Sequence, residues 1–227
     1  MISGAAIPSA VVALAKPVAA IPTGSLATLR RKAAGCRACP LWRGATHTVF
    51  GRGPAHAPAM LIGEQPGMQE DQSGEPFVGP AGHLLDRAMA EAGLDRDALY
   101  LTNTVKHFKY ETRGNAKLHK SANAAEQAAC RQWLAAELSR VQPRLVVGLG
   151  AMAAKTLFGN AFRITAERGQ WRELGAQVRG FATWHPSAVL RMPREDRRRE
   201  AYAELVADLR EVAIALVALD EPGKATR

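Results

Sequence analysis

Cysteine is scarce in this chain, which has three cysteines among its 227 residues. Three is an odd number and too few for the disulfide scaffold of a small secreted protein. Long apolar runs are also missing, since no stretch approaches the roughly 20 apolar residues that span a membrane. We therefore expect neither a disulfide-built domain nor a membrane protein, and the cysteines fit a reducing cytoplasm.

Acidic residues are outnumbered by basic ones. The chain has 21 Asp and Glu against 30 Lys and Arg, which gives a formal net charge of +9. Such a balance suits a polyanionic partner, because a protein that neutralises phosphates releases their counterions. A basic but inert surface is the alternative that charge alone leaves open.

The length fits about one domain, and a hydrophobic fraction of 47% allows a substantial core. The first 22 residues are rich in Ala, Val and Pro, have no acidic residue and contain Lys16 as their one base. We predict a disordered tail at 1–24, a single domain at 25–218 and a short tail at 219–227.

Four short apolar runs predict buried parallel strands, at 59–63, 99–105, 144–148 and 180–184. Helical patterns occupy 25–35, 80–92, 124–141, 151–158 and 195–217. Strands that alternate with helices predict an α/β fold in which helices cover both faces of a parallel sheet.

Polar residues follow these strands directly. Glu64 comes after the first strand, Asn103 and His107 lie at the end of the second, and His185 comes after the fourth. Because ligands of such sheets bind at the carboxyl ends of strands, we expect these side chains to meet at one edge. If each of these residues only stabilised its own turn, there would be no reason for their side chains to come together.

Several of these residues suit the recognition of a nucleobase. An Asn amide at position 103 offers an acceptor and donors that can match a base edge, and Phe77 could stack on an extruded base. A neutral His185 can donate to a leaving group that gains negative charge. The alternatives are a turn Asn, a core Phe and a structural His. Gly79 and Gly82, at the start of the next helix, predict exposed backbone N–H groups for an anion.

The cysteines form a pattern of their own. Cys36 and Cys39 stand two residues apart on a tight turn before Pro40, and Cys130 lies far along the chain. Metal sites built from cysteine and histidine need a fourth ligand, and zinc accepts such a set readily. Three unrelated buried cysteines are the alternative.

Three segments read together resemble the uracil-DNA glycosylase superfamily: Gly63-Glu64-Gln65-Pro66-Gly67, the stretch 103–107, and His185-Pro186-Ser187 with the residues up to Arg191. The cysteine set is similar to that of the iron–sulfur branch. His119, at the end of a basic loop with interleaved aromatics, resembles the UdgX-type proteins, which bond to the DNA they have opened. Their loop ends in Lys-Arg-Arg-Ile-His; the matching residues here read Asn115-Ala116-Lys117-Leu118-His119.

The resemblance implies a single three-layer αβα domain with a central, mainly parallel four-stranded sheet. It implies catalytic roles for Glu64, His119 and His185, with Gln65 in place of the usual catalytic Asp. The residues that it implies for substrate binding are Gly63, Gln65, Phe77, Asn103, Ser187 and Arg191. A [4Fe–4S] cluster, or zinc as the alternative, would be held by Cys36, Cys39, His107 and Cys130.

The function implied is excision of uracil from DNA, followed by a covalent bond between His119 and the deoxyribose. An ordinary hydrolytic glycosylase of multiple turnovers is one alternative, and a non-catalytic binder of single-stranded or damaged DNA is another. The expected partner is uracil-containing, single-stranded DNA, with free uracil as the product. We expect a monomer in a bacterial cytoplasm, associated with the nucleoid and not with a membrane.

Overall fold

The computed structural model of the protein describes residues 20–114, 116–175 and 177–220, together with Leu14, Lys16 and Val18. Most residues of the two predicted tails, at 1–24 and 219–227, lie outside the described residues, so the tails stay predictions. Within the described part, no helix is long and apolar enough to cross a membrane.

The secondary structure alternates between helices and short strands. The helices are α1 (Leu26–Ala34), α2 (Met68–Ser73), α3 (Pro80–Ala92), α4 (Ala124–Val141), α5 (Gly150–Phe158), α6 (Ile164–Glu167), α7 (Pro186–Leu190) and α8 (Glu195–Asp220). The strands are β1 (Ala59–Gly63), β2 (Tyr100–Asn103), β3 (Tyr110–Arg113), β4 (Ala116–His119), β5 (Leu145–Leu149), β6 (Arg172–Glu173) and β7 (Arg179–Thr183).

The main sheet has the strand order β2-β1-β5-β7-β6. The first four of these strands run parallel, whereas β6 pairs antiparallel with β7 at the edge. The predicted count of four strands was therefore wrong by one. The fifth strand consists of Arg172 and Glu173, which are polar and not buried, so it carries no apolar run that a sequence pattern could show.

Helices cover both faces of this sheet, as predicted. In β1 all five residues are buried, and alternate side chains point to opposite faces. Ala59 and Leu61 belong to a core cluster with residues of α3 and α8, whereas Met60 and Ile62 pack with residues of α4 and α5. The predicted three-layer α/β architecture is thus confirmed.

Local signals set the ends of the helices. Pro80 occupies the first turn of α3, and Gly93 ends that helix with a positive φ of 81° that favours glycine. Asn123 caps α4, because its side chain accepts from the backbone N–H of Glu126 while the Glu126 carboxylate accepts from Asn123. The bounds predicted for these two helices are those observed.

The basic loop beyond the second strand is ordered as a β-hairpin, which the sequence pattern did not predict. Strands β3 and β4 pair antiparallel, with Tyr110 opposite His119 at the open end. The residues of β4 are exposed, so the hairpin lacks the alternation of buried and exposed positions that would mark a strand. The hairpin brings His119 back toward the sheet.

Candidate active site

A cavity of about 340 Å³ is bordered by residues that follow β1, β2 and β7. Seven of the predicted site residues line it, drawn from four separate parts of the chain: Gln65, Phe77, Asn103, His119, His185, Ser187 and Arg191. Of the four side chains expected to meet at this edge, Asn103 and His185 line the cavity, whereas Glu64 and His107 do not. Gly63 and Glu64 are not in this lining, and each has a different place.

Gly63 stands behind Asn103 and Phe77. A Cβ atom at this position would collide with Oδ1 of Asn103 and would lie 2.8 Å from Cζ of Phe77. Glycine is therefore required here, because the amide and the aromatic ring both occupy the space beside its backbone. This close approach places Asn103 and Phe77 side by side in the wall of the cavity.

Phe77 is held in an uncommon backbone conformation, with a φ of 56°. A positive φ costs a residue other than glycine on the order of 1–3 kcal/mol, so the surroundings must enforce it. Arg96 donates to the carbonyl oxygens of Pro76 and Phe77 at 3.3 and 3.2 Å. Gly82 allows α3 to approach the Phe77 carbonyl, since a Cβ atom at Gly82 would collide with that oxygen.

Glu70 is a site residue that the sequence reasoning missed. Its buried carboxylate accepts hydrogen bonds from the backbone N–H groups of Gly67, Val78 and Gly79, at 3.0, 3.1 and 2.8 Å. The predicted anion site at Gly79 is therefore wrong, because Glu70 already occupies that N–H. A signal was present: an acidic residue three positions after a helix-starting glycine is one half of a capping box.

His185 has a defined proton position. The backbone N–H of Ser187 donates to Nδ1 of His185 at 3.1 Å, so Nδ1 is an acceptor and the ring proton belongs on Nε2. Burial lowers the pKa of His185 to about 4, with further lowering from the positive charges of Arg191 and His119. At neutral pH the imidazole is therefore uncharged and has one N–H to donate.

His119 lies at the end of β4, with its ring 6.3 Å from that of Phe108. Loss of solvent around the ring lowers the pKa of His119 below its usual value, the Glu64 carboxylate opposes this, and Arg191 adds to it. Both charged groups are thus close enough to act on the imidazole. The ring is neutral at physiological pH and carries a free electron pair.

Glu64 lines a second cavity, which has a volume of about 450 Å³. Its main-chain carbonyl accepts from the hydroxyl of Thr104 at 2.6 Å and from the N–H of Val105 at 3.0 Å, which fixes the backbone. Its Oε1 atom is buried and has no hydrogen-bond partner among the described residues. A buried carboxylate oxygen without a partner is costly and points to a ligand or reactant.

Gln65 fastens the hairpin to the sheet, a contact that the sequence reasoning did not foresee. Its Nε2 atom donates to the carbonyl oxygens of Lys109 and Lys120, at 3.0 and 3.3 Å. These residues flank the hairpin, and the N–H of Lys120 also donates to the carbonyl of Lys109. An aspartate at position 65 could donate neither bond, so the glutamine supports the position of His119.

The three cysteines lie in one region of the fold. Burial raises the pKa of the Cys130 thiol to about 12, and charges on Cys36 and Cys39 act on it as well. Trp133 donates to Sγ of Cys36 at 3.2 Å. Within the described residues, no three His, Cys, Asp or Glu side chains stand close enough to hold a metal ion.

The fourth predicted ligand, His107, is buried and lies next to Thr48, with 2.8 Å between Nε2 and the hydroxyl oxygen. This contact leaves Nδ1 as the ring nitrogen for another partner. Three thiols and an imidazole are a donor set suited to an iron–sulfur cluster or to zinc. By donor chemistry the residues fit either group.

The amino-acid sequence was compared with protein-family models and with known proteins, and both comparisons support a site of this kind. Residues 50–210 match the family model described as the uracil DNA glycosylase superfamily. The chain belongs to this superfamily of DNA glycosylases. A Type-4 uracil-DNA glycosylase of Sulfurisphaera tokodaii is 33% identical over 198 residues, which cover 84% of this chain and 86% of that protein.

Two further relatives carry the same name. The protein from Pyrobaculum aerophilum is 35% identical over 165 residues, which cover 70% of this chain and 81% of its own length. The protein from Archaeoglobus fulgidus is 33% identical over 193 residues, which cover 82% of this chain and 93% of its own length. The match to these members of the superfamily thus extends over nearly the whole folded part of the chain.

The segment 194–200 at the start of α8 is basic, but most of its charge is matched. Three of its four arginines form an ion pair with an acidic residue of the same segment, namely Arg194 with Asp196, Arg197 with Glu200 and Arg199 with Glu195, whereas Arg198 donates to the carbonyl of Met192. Such exposed pairs add little stability, and their charges are already matched. They form a solvated helix face.

Proposed function

We propose that this protein excises uracil from DNA and then bonds covalently to the resulting deoxyribose through His119. The observation that carries the proposal is the meeting of Phe77, Asn103, His185 and His119 around one cavity, with Glu64 beside His119. The relatives named Type-4 uracil-DNA glycosylase support the excision step. The placement of His119 supports the covalent step.

Recognition is the first part of the proposal. A cavity of about 340 Å³ can hold a flipped pyrimidine. Phe77 stacks on the base, and the side-chain amide of Asn103 pairs with its edge, accepting from N3–H and donating to a carbonyl oxygen. Both side chains are fixed before DNA arrives, since they pack against the backbone of Gly63. Such preorganisation lowers the entropic cost of binding.

Bond cleavage is the second part. The bond between C1′ and the uracil nitrogen breaks, and both electrons leave with the base. The Nε2–H of His185 donates to the carbonyl oxygen on which negative charge develops, and the neutral ring does so without first losing a proton. The Glu64 carboxylate, whose Oε1 atom has no described hydrogen-bond partner, stabilises the positive charge on the sugar.

Capture is the third part. A ring nitrogen of His119 gives its electron pair to C1′, which forms the new bond and neutralises the sugar cation. The alkylated imidazole then carries the positive charge, which it loses when its own N–H proton passes to Glu64 or to solvent. Gln65 holds the open end of the hairpin in place through two backbone carbonyls, so that His119 lies at the cavity before DNA binds.

The test uses a labelled single-stranded oligonucleotide with one uracil, and a matched oligonucleotide with thymine. After incubation with the protein, the sample is boiled in denaturant and separated on a gel. We expect a shifted band with the uracil substrate alone. His119→Ser should abolish this band and leave DNA that breaks at the uracil position under alkali. An undiminished band in this variant would exclude His119 as the nucleophile.

A hydrolytic glycosylase is the second candidate, and the position of Glu64 favours it. This residue lines the 450 Å³ cavity, from which a water molecule could reach the carboxylate and attack C1′ in place of His119. Unshifted DNA that breaks at one site under alkali would support this candidate. Equal binding of uracil and thymine DNA with no base release would instead indicate a non-catalytic binder.

We also propose that Cys36, Cys39, Cys130 and His107 hold a [4Fe–4S] cluster, with zinc as the alternative. The cluster would join the turn before Pro40 to α4 and to the segment after β2. Its chemistry there is structural, because it ties together loops that border the DNA. A brown protein with absorbance near 400 nm and about four irons per chain would support the cluster. Stoichiometric zinc in a colourless protein would overturn it.

A further inference from the structure

The 450 Å³ cavity has a use beyond the possible entry of water. It shares a wall with the candidate active site, because Glu64 lines the larger cavity and its neighbour Gln65 lines the smaller one. Ser121, two residues after His119, also lines the larger cavity. A DNA strand that places one nucleotide next to His119 therefore has this cavity beside its neighbouring nucleotides.

The lining of this cavity also includes basic and polar side chains from α4 and α5. Arg131 comes from α4, Lys155 from α5, and Asn160 follows the end of α5. Neither Arg131 nor Lys155 forms an ion pair with a residue that the structure describes. Arg194, Arg197 and Arg199 differ in this respect, since acidic neighbours match their charges.

Two unmatched cations from α4 and α5, with Lys16 as a third basic side chain of the lining, favour an anionic ligand. Their attraction for a phosphate is not weakened by a competing carboxylate, apart from Glu64 at the shared wall. The hydroxyl of Ser121 and the amide of Asn160 can donate hydrogen bonds in the same space. Arginine, lysine and short polar donors are the side chains that most often contact the phosphates of DNA.

We propose that this cavity binds the backbone phosphates of the DNA strand next to the flipped nucleotide, with Arg131 and Lys155 as the cationic contacts. The proposal rests on the proposed function, because it takes uracil-containing DNA as the substrate. It adds a second contact region, formed by α4 and α5 and separated from the candidate active site by residues 64–65. The contact is to phosphates, so it is independent of base sequence.

The first experiment measures binding alone. Fluorescence anisotropy gives the Kd for a labelled, uracil-free single strand across a range of salt concentrations. For Arg131→Gln with Lys155→Gln, we expect the Kd at low salt to rise by about tenfold. The slope of log Kd against log salt should fall by about 1.4, since each phosphate contact on a single strand contributes about 0.7.

A matched control removes the same charge elsewhere. The double variant Arg197→Gln with Arg199→Gln also loses two positive charges, but from residues that are paired on α8. Its Kd and salt slope should stay close to those of the unaltered protein. Equal losses in both double variants would overturn the proposal, because the effect would then come from net charge. An unchanged slope in the Arg131 and Lys155 variant would overturn it as well.

The second experiment locates the contact along the strand. Two uracil substrates are compared, one extended only on the 5′ side of the uracil and one only on the 3′ side. We expect the Arg131 and Lys155 variant to need a higher protein concentration for half-maximal single-turnover uracil release from one of them and to match the unaltered protein for the other. Equal losses on both substrates would contradict a contact beside the flipped nucleotide.

Failure of the proposal can be told apart from failure of the proposed function. A protein that releases no uracil would end the glycosylase proposal, yet the anisotropy measurement would still report whether Arg131 and Lys155 contact DNA. If the variant releases uracil with the same half-maximal protein concentration and the same salt slope as the unaltered protein, the proposal for the second cavity fails and the glycosylase proposal stands.

Discussion

The Ser187 hydroxyl lies 2.7 Å from Nδ1 of His185, the same nitrogen that accepts the Ser187 backbone N–H. Two donors from one residue therefore fix the tautomer of the imidazole and point its Nε2–H away from Ser187. The short helix α7 begins at this turn, with His185 as its cap. Hydrogen bonds of this kind set which nitrogen of a catalytic histidine carries the proton.

The first prediction distinguishes the role of the His185 imidazole from that of the Ser187 hydroxyl. His185→Ala should lower the rate of uracil release by about 10²–10³, the usual cost of removing one donor to a developing oxyanion. Ser187→Ala should cost much less, because the backbone N–H of residue 187 still holds Nδ1. Single-turnover release of uracil measures both. Equal losses in the two variants would mean that Ser187 itself contacts the DNA.

The second prediction concerns pH. The nucleophile must be neutral, and the pKa of His119 is lowered from its usual 6.5. The rate of adduct formation should therefore be constant at neutral pH and fall only when the pH drops below about 6.5. In His119→Ser the fall in rate below about pH 6.5 should disappear. The rate of uracil release by this variant should fall only near pH 4, where His185 takes up a proton. A fall in rate at neutral pH in both proteins would contradict the assignment of His119.

The third prediction concerns Gln65, whose amide holds both ends of the hairpin. Gln65→Ala should slow adduct formation by about tenfold or more, since a small misplacement of a nucleophile is costly. Gln65→Glu is the matched variant, because it keeps the size of the side chain but cannot donate to the carbonyls of Lys109 and Lys120. Both variants should retain binding of uracil DNA. A normal adduct rate in Gln65→Glu would show that the two hydrogen bonds are dispensable.

The fourth prediction concerns a buried ion pair between Lys106 and Glu137, whose side chains are both inaccessible to solvent. Nζ of Lys106 donates to Glu137, to the hydroxyl of Thr102 and to the carbonyl of Asn103. Lys106→Met should lower the free energy of unfolding by about 3–5 kcal/mol, because it leaves a buried carboxylate without its partner. Urea unfolding measures this loss.

A second variant tests the cause of that loss. In Lys106→Met with Glu137→Gln, the uncompensated charge is gone, so part of the stability should return. If the double variant is as unstable as the sum of the single ones, the two residues act independently. The carbonyl bond to Asn103 also predicts weaker uracil binding in both variants.

The parallel strands and the main helices could be predicted because their signals are local. An apolar run such as Ala59–Gly63 can be buried only inside a sheet covered on both faces, and Asn123 with Glu126 caps a helix wherever it occurs. The order of strand and helix then forced Gln65, Asn103 and His185 to one edge, since parallel strands share a carboxyl end.

Other features arise from contacts between distant residues and have no local pattern. The strand Arg172–Glu173 exists because β7 offers it a free edge, and the hairpin that ends at His119 is polar throughout. The partners of Gln65, and those of Glu70 outside its capping box, are backbone groups, which every residue has, so no side-chain motif could identify them.

By itself the sequence determined the α/β class, indicated the family and identified seven of the residues that line the cavity. The class follows from apolar periodicity, whereas the family and the seven residues follow from motifs that resemble those of the superfamily. Only the tertiary structure decided that Glu70 occupies the Gly79 amide, that Gln65 holds the hairpin, and that Ser187 fixes the proton of His185. The reason is physical: a hydrogen bond depends on where two groups meet, and that meeting is set by the packing of the whole domain.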